Sequence, residues 1–214
     1  MSRTEYTLYY APGAASLVVH WLLLEVDASH ALALVDTAAG AQKRPEYLAL
    51  NPNGVVPTLV IDGAAHYEAA ALSMHLADAF PAAALAPSIP EPQRMHYTQW
   101  MFNLANMVQP LFRQWWYPHE PAGEGNAGAV RQHVQRRIEA EWQRIDRHLA
   151  EHGPHLLGER LSAADFYLVM LMRWSRNMPK PADEWPHLSA LASRLKARPS
   201  FSTLYEREGL TEWA

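Results

Sequence analysis

The chain has 214 residues, 49% of them hydrophobic and 19% charged, with a formal net charge of −4 and no cysteine. That length and balance suit one large or two small globular domains with a real core. The acidic balance, without any basic stripe, argues against nucleic acid as a partner, and the missing cysteines exclude a disulfide framework and a protein thiolate nucleophile.

In chain order, Thr7–Tyr10 reads as a strand, and the Pro12-Gly13 turn delivers the chain into a helix over Ser16–Glu25. Ala31–Val35 is a second strand, and Lys43–Leu50 is a short helix stopped by Asn51-Pro52. Thr58–Ile61 and Ala65–Tyr67 flank an Asp62-Gly63 turn and form a hairpin. Glu68–Phe80 is an Ala- and Leu-rich helix whose acidic start suits the positive end of its dipole. The order βαβαββα is that of a thioredoxin-like unit, with parallel strands across the crossover and antiparallel strands in the hairpin.

Beyond it the pattern is helical throughout: Gln93–Trp116, Ala129–His152, Ser162–Arg176, His187–Lys196 and Phe201–Glu208, with a loop at Tyr117–Gly125. The expected organisation is an α+β, thioredoxin-like domain over residues 1–82, a proline-rich linker over 83–92 and an all-α domain over 93–214. Within the helical part, Ser162 caps a helix start while Asp165 returns a hydrogen bond, an aspartate version of the capping box. No leader pattern opens the sequence, and no apolar run approaches the roughly 20 residues that span a bilayer. A soluble cytoplasmic protein with no membrane partner is expected.

The most informative stretch is Asn51-Pro52-Asn53-Gly54-Val55-Val56-Pro57-Thr58-Leu59, followed eleven residues after Pro57 by Glu68. Pro57 leads straight into an apolar strand, where its missing N–H is a liability. A cis Val56–Pro57 bond answers this by turning the backbone so that Val56 offers its N–H and C=O to an outside peptide. Glu68 heads the next helix, where the N–H of Ala69 suits a carboxylate.

With Tyr10-Ala11-Pro12-Gly13-Ala14-Ala15-Ser16-Leu17 upstream and Leu157-Gly158 before the Ser162 box, these residues resemble the glutathione transferases along nearly the whole chain. Pro12-Gly13-Ala14-x-Ser16-Leu17 is most similar to the bacterial beta class. The resemblance implies the two-domain transferase fold, glutathione as co-substrate and no metal. It also implies a homodimer joined through helices three and four. By the same resemblance, Val56 before Pro57 pairs with the cysteinyl backbone, Glu68 meets the γ-glutamyl ammonium and Ala69 its carboxylate.

The departures are specific. Relatives carry cysteine where this chain has Ala15, serine where it has Ala69, and Gln or Lys where it has Val55. Their helix-four histidine falls near Gln109 or Ala105. A cysteine mechanism is therefore excluded. Some other group must stabilise the glutathione thiolate, which is the nucleophile.

Ser16, at a helix start where hydroxyl, N–H groups and dipole converge, is the first candidate. A similar Pro-Gly-Ala-x-Ser-Leu pattern occurs in β-etherase-type glutathione enzymes, which also lack the cysteine. Tyr10 is the second candidate, because strand alternation turns Tyr9 to the other face. Trp115, Trp116 and Tyr117 run consecutively and cannot share one helix side, so Trp116 or Tyr117 is expected to line an apolar co-substrate site. His148, His152 and His155 approach helical spacing, but Gly153-Pro154 breaks the helix before the third, which argues against a metal site. The expected function is conjugation of the glutathione thiol to a small hydrophobic electrophile. The alternatives are glutathione-dependent ether or thioether cleavage, and a non-catalytic binding protein of the same fold.

Overall fold

The structure, a computed structural model, describes residues 4–213. These form two compact units, one made of the chain up to Leu85 with Ala197–Glu212, the other of Ala86–Lys196 with Trp213.

The first unit runs β1 (Tyr6–Tyr10), α1 (Ser16–Glu25), β2 (His30–Leu34), α2 (Pro45–Leu48), β3 (Thr58–Ile61), β4 (Ala64–Tyr67) and α3 (Ala69–Ala79). Its sheet has the order β2-β1-β3-β4. β1 is parallel to β2 and antiparallel to β3, and β3 is antiparallel to β4. Leu8 of β1 stands opposite Leu32 and Leu59, and both Leu8 and Leu59 are fully buried. α1 buries every residue from Ser16 to Leu23, because neighbours cover it on all sides; a helix that is apolar all round belongs inside a core. Gly54 sits at φ +59, and a Cβ there would meet the Gln42 carbonyl at 2.9 Å, so this turn requires glycine.

The second unit is helical: α4 (Gln93–Asn103), α5 (Gln109–Trp116), α6 (His119–Ala122), α7 (Ala127–His152), α8 (Ala163–Trp174) and α9 (Pro186–Lys196). The single helix expected over Gln93–Trp116 is continuous but passes through a π-helical stretch at Leu104–Val108. Pro110 explains the loosening, since it has no N–H for the ladder and crowds the carbonyl one turn back. The loop expected at Tyr117–Gly125 contains one helical turn, α6. At the start of α8, buried Asp165 accepts the N–H of Ser162 at 2.8 Å, its hydroxyl at 3.1 Å and the N–H of Leu156 at 2.8 Å. Burial pushes that carboxyl up from its ordinary range, against the pull of these donors.

The last helix, α10 (Pro199–Glu208), belongs to the first unit and packs along α1. The Trp21 indole donates to Ser200 at 2.9 Å, and Glu25 pairs with Arg198 and Ser200. Among the described residues, no helix is long and apolar enough to cross a membrane.

Candidate active site

The register gathers three loops. Tyr9 pairs with Thr58, and Thr58 pairs with Tyr67. The chain therefore leaves β1, enters β3 and leaves β4 at one end of the sheet. Residues 10–16, 55–57 and 68–69 share that end.

The first loop ends on α1. Ser16 is wholly buried, and its hydroxyl turns inward, accepting the Ala11 N–H at 3.2 Å and donating to the Ala11 carbonyl at 3.1 Å. It braces the loop and does not cap the helix; Ala15 holds the cap position. What α1 leaves unpaired are the N–H groups of Ala15 and Ser16, which meet no acceptor among the described residues. Orphan N–H groups at a helix start, with the dipole behind them, form a locus for an anion. Gly13, at φ 68, gives its N–H to Glu208 of α10 at 2.8 Å. The same carboxylate lies 2.8 Å from His20 Nδ1, both side chains being fully buried. Tyr10 is half-buried, its ring 5.9 Å from that of His20, while Tyr9 meets Tyr47 edge-on at 6.0 Å. The two tyrosines take opposite faces, as alternation requires.

The second loop carries the cis Val56–Pro57 bond. Pro57 is buried and Val56 half-buried. The N–H and C=O of Val56 have no partner among the described residues, whereas the Val55 carbonyl accepts both the Tyr47 hydroxyl and the Asn51 amide at 2.8 Å. The third loop turns on Glu68, exposed and held at φ 77. A positive φ at a non-glycine residue costs about 1–3 kcal/mol and collects at functional sites. Ala69 follows, buried, with its N–H unpaired at the start of α3. One sheet end thus offers an extended main-chain edge, a carboxylate and two helix N-termini. An anionic peptide with an ammonium group matches that set.

Two family models match the sequence, the glutathione S-transferase N-terminal domain over residues 14–79 and the C-terminal domain over residues 105–207. Glutathione S-transferase GST-4.5 of Xanthomonas campestris is 31% identical over 209 residues, covering 95% of this chain and 98% of its own. The chain belongs to the glutathione transferase family. Among solved structures, a sphingomonad glutathione S-transferase complexed with glutathione is 28% identical with a TM-score of 0.84, covering 96% of this chain and 100% of its own. A glutathione transferase homologue from Sulfitobacter with bound glutathione is 25% identical with a TM-score of 0.88, covering 97% and 99%.

In this transferase, Trp116 and Tyr117 lie in the second unit at the end of α5, 39% and 47% exposed, while Trp115 turns inward. The Arg113 guanidinium lies 4.7 Å over the Tyr117 ring. Trp100, one turn further back on α4's side of the π stretch, is half-buried between Arg144 and His148. His148 and His152 stack at 4.9 Å, and His148 Nε2 donates to the Leu156 carbonyl. Among the described residues, no three His, Asp or Glu side chains assemble for a metal ion.

The sequence reading missed three residues of the first unit: His20, Tyr47 and Glu208. Two carried a signal. His20 interrupts the apolar run Leu17–Leu24, and Glu208 completes the stripe Phe201, Leu204, Tyr205, Glu208 on the buried face of α10. A carboxylate on an apolar stripe needs a partner.

Proposed function

We propose that this glutathione transferase conjugates the glutathione thiol to a small hydrophobic electrophile, by a route that uses main-chain donors in place of a cysteine. The observation that carries the reading is the unpaired main chain of Val56 beside two open helix N-termini at one sheet end. In this scheme Val56, fixed by cis Pro57, pairs with the cysteinyl backbone. Glu68 meets the γ-glutamyl ammonium, and the Ala69 N–H takes its carboxylate. The thiolate rests on the Ala15 N–H at the start of α1, the half-buried residue before the wholly buried Ser16, with the Tyr10 hydroxyl as the second donor. Hydrogen bonds to the charged form favour it, which lowers the thiol pKa.

The sulfur lone pair then forms the new C–S bond. In a substitution the leaving group departs with its electron pair; in an addition the carbanion takes a proton from solvent. Trp116 and Tyr117 supply apolar surface for the electrophile. The molecule works as a soluble cytoplasmic homodimer. Met95 and Phe102, 71% and 57% exposed and seven residues apart on α4, supply apolar surface for that contact. Calorimetric titration with glutathione, followed by thiol conjugation across a panel of electrophiles, tests the proposal. Saturable binding with turnover of at least one electrophile is expected. Binding without any turnover would leave a binding protein of the same fold, and no binding would remove the proposal.

A further inference from the structure

The Val55 carbonyl and the Val56 N–H belong to one planar trans peptide group, so they point in opposite directions. Whatever holds the carbonyl therefore aims the N–H. The carbonyl is held from inside by two donors at 2.8 Å, the Tyr47 hydroxyl and the Asn51 side-chain amide, which occupy both of its lone pairs. Tyr47 is itself fixed. It is buried, Tyr9 packs edge-on against its ring, and its oxygen lies 2.8 Å from Thr58 Oγ1. The single phenolic proton goes to Val55, so Thr58 is the donor in that second bond. Asn51 is buried too, and its carbonyl oxygen takes the Asn53 N–H at 3.1 Å, leaving only its NH₂ for Val55.

We infer that Tyr47, with Asn51, is a positioning residue for substrate peptide recognition: by clamping the Val55 carbonyl it presents the Val56 N–H outward to the cysteinyl carbonyl of glutathione. The inference rests on the proposed main-chain role of Val56. Tyr47 touches no substrate and acts through one peptide plane. Burial pushes its phenol above the ordinary value, so the donor stays protonated throughout the range in which the thiolate forms. The clamp also accounts for the tolerance of valine at position 55. That side chain faces solvent, and the position contributes its carbonyl.

The test compares Tyr47→Phe with Thr58→Val in the intact protein. Tyr47→Phe removes a donor from the Val55 carbonyl and leaves the ring packing. Thr58→Val removes the hydroxyl behind Tyr47 and leaves the clamp. Calorimetry with glutathione and with S-methylglutathione gives affinity, steady-state kinetics separates KM from kcat, and thermal melting reports stability.

Tyr47→Phe should weaken both ligands about threefold to tenfold, the range for one net hydrogen bond. The rise in KM for glutathione should match, with kcat at saturating glutathione unchanged. Thr58→Val should lower the melting temperature with little change in affinity. A purely structural role predicts two destabilised variants that bind as the wild type does, and that result would overturn the inference. So would a loss confined to glutathione and absent with S-methylglutathione, since it would mean an effect on the thiolate. Failure of the wild type to bind glutathione would instead remove the proposed function.

Discussion

Removing the Glu208 carboxylate should be among the most damaging single changes available in the first unit. Glu208 lies 195 residues from Gly13 and takes its N–H at 2.8 Å, while its other oxygen faces His20 Nδ1 at the same distance. Neither the Glu208 nor the His20 side chain has solvent exposure. Glu208→Ala deletes two buried hydrogen bonds, one to the Gly13 N–H and one to His20 Nδ1, at about 1–3 kcal/mol each, and opens a cavity. The expected loss is about 3–5 kcal/mol, in line with breaking a buried pair. For a chain of this size each kcal/mol moves the midpoint by about 2–4 °C, so a fall of about 6–20 °C is expected.

Glu208→Gln separates charge from shape. Its amide oxygen keeps the Gly13 bond and its NH₂ faces His20, which must switch tautomer. The proton then moves to His20 Nε2, an atom already buried without a partner among the described residues. The loss should be about 1–3 kcal/mol. Circular dichroism melts give the stability, and amide hydrogen exchange over residues 13–16 reports whether the loop loosens. A Glu208→Ala midpoint within about 1 °C of wild type would refute the reasoning. So would glutamine proving as harmful as alanine.

Glu68→Ala should weaken glutathione by about 1.5–3 kcal/mol, the scale of a charge-assisted hydrogen bond, read by calorimetry; unchanged affinity in a folded variant would remove Glu68 from the site. Ser16→Ala deletes two buried bonds to Ala11 and should destabilise the protein by about 1–3 kcal/mol. Because the main-chain N–H of Ala15 survives, turnover per folded molecule should fall less than about tenfold; a larger loss, about a hundredfold or more, would mean that the hydroxyl itself serves the thiolate. Tyr47 carries a pH signature. Its folded pKa is raised above 10.0 by burial, so above that pH the unfolded chain holds fewer protons and stability falls as pH rises through the folded value. Tyr47→Phe removes that contribution, and urea midpoints compared at about pH 9 and about pH 11 should fall less steeply in the variant than in the wild type.

Much of this molecule was legible because its signals are local. The Val-Pro step into β3, the Asp62-Gly63 hairpin and the Ser162–Asp165 box each lie within a few residues, so turn chemistry and capping rules identify them. Glu68 was visible as a helix-leading acid, though its positive φ was not, since glutamate does not announce a left-handed backbone. Ser16 shows where the reading runs out. A serine at a helix start reads the same whether its hydroxyl caps the helix, meets a ligand or ties the loop to Ala11, and only the three-dimensional placement distinguishes them. The single helix read over Gln93–Trp116 passed over Pro110, which accompanies the π stretch at Leu104–Val108. Glu208 lay furthest from reach. Its position on the apolar stripe of α10 predicts burial, but nothing in the pattern says that its partner is the N–H of Gly13.

In the proposed function the main chain at the start of α1 holds a glutathione thiolate, and a pH titration of thiolate ultraviolet absorbance in the protein–glutathione complex tests this most directly. The expected result is a bound thiol that ionises at lower pH than free glutathione, a shift that survives Ser16→Ala. A bound thiol that titrates as it does in free solution would contradict it.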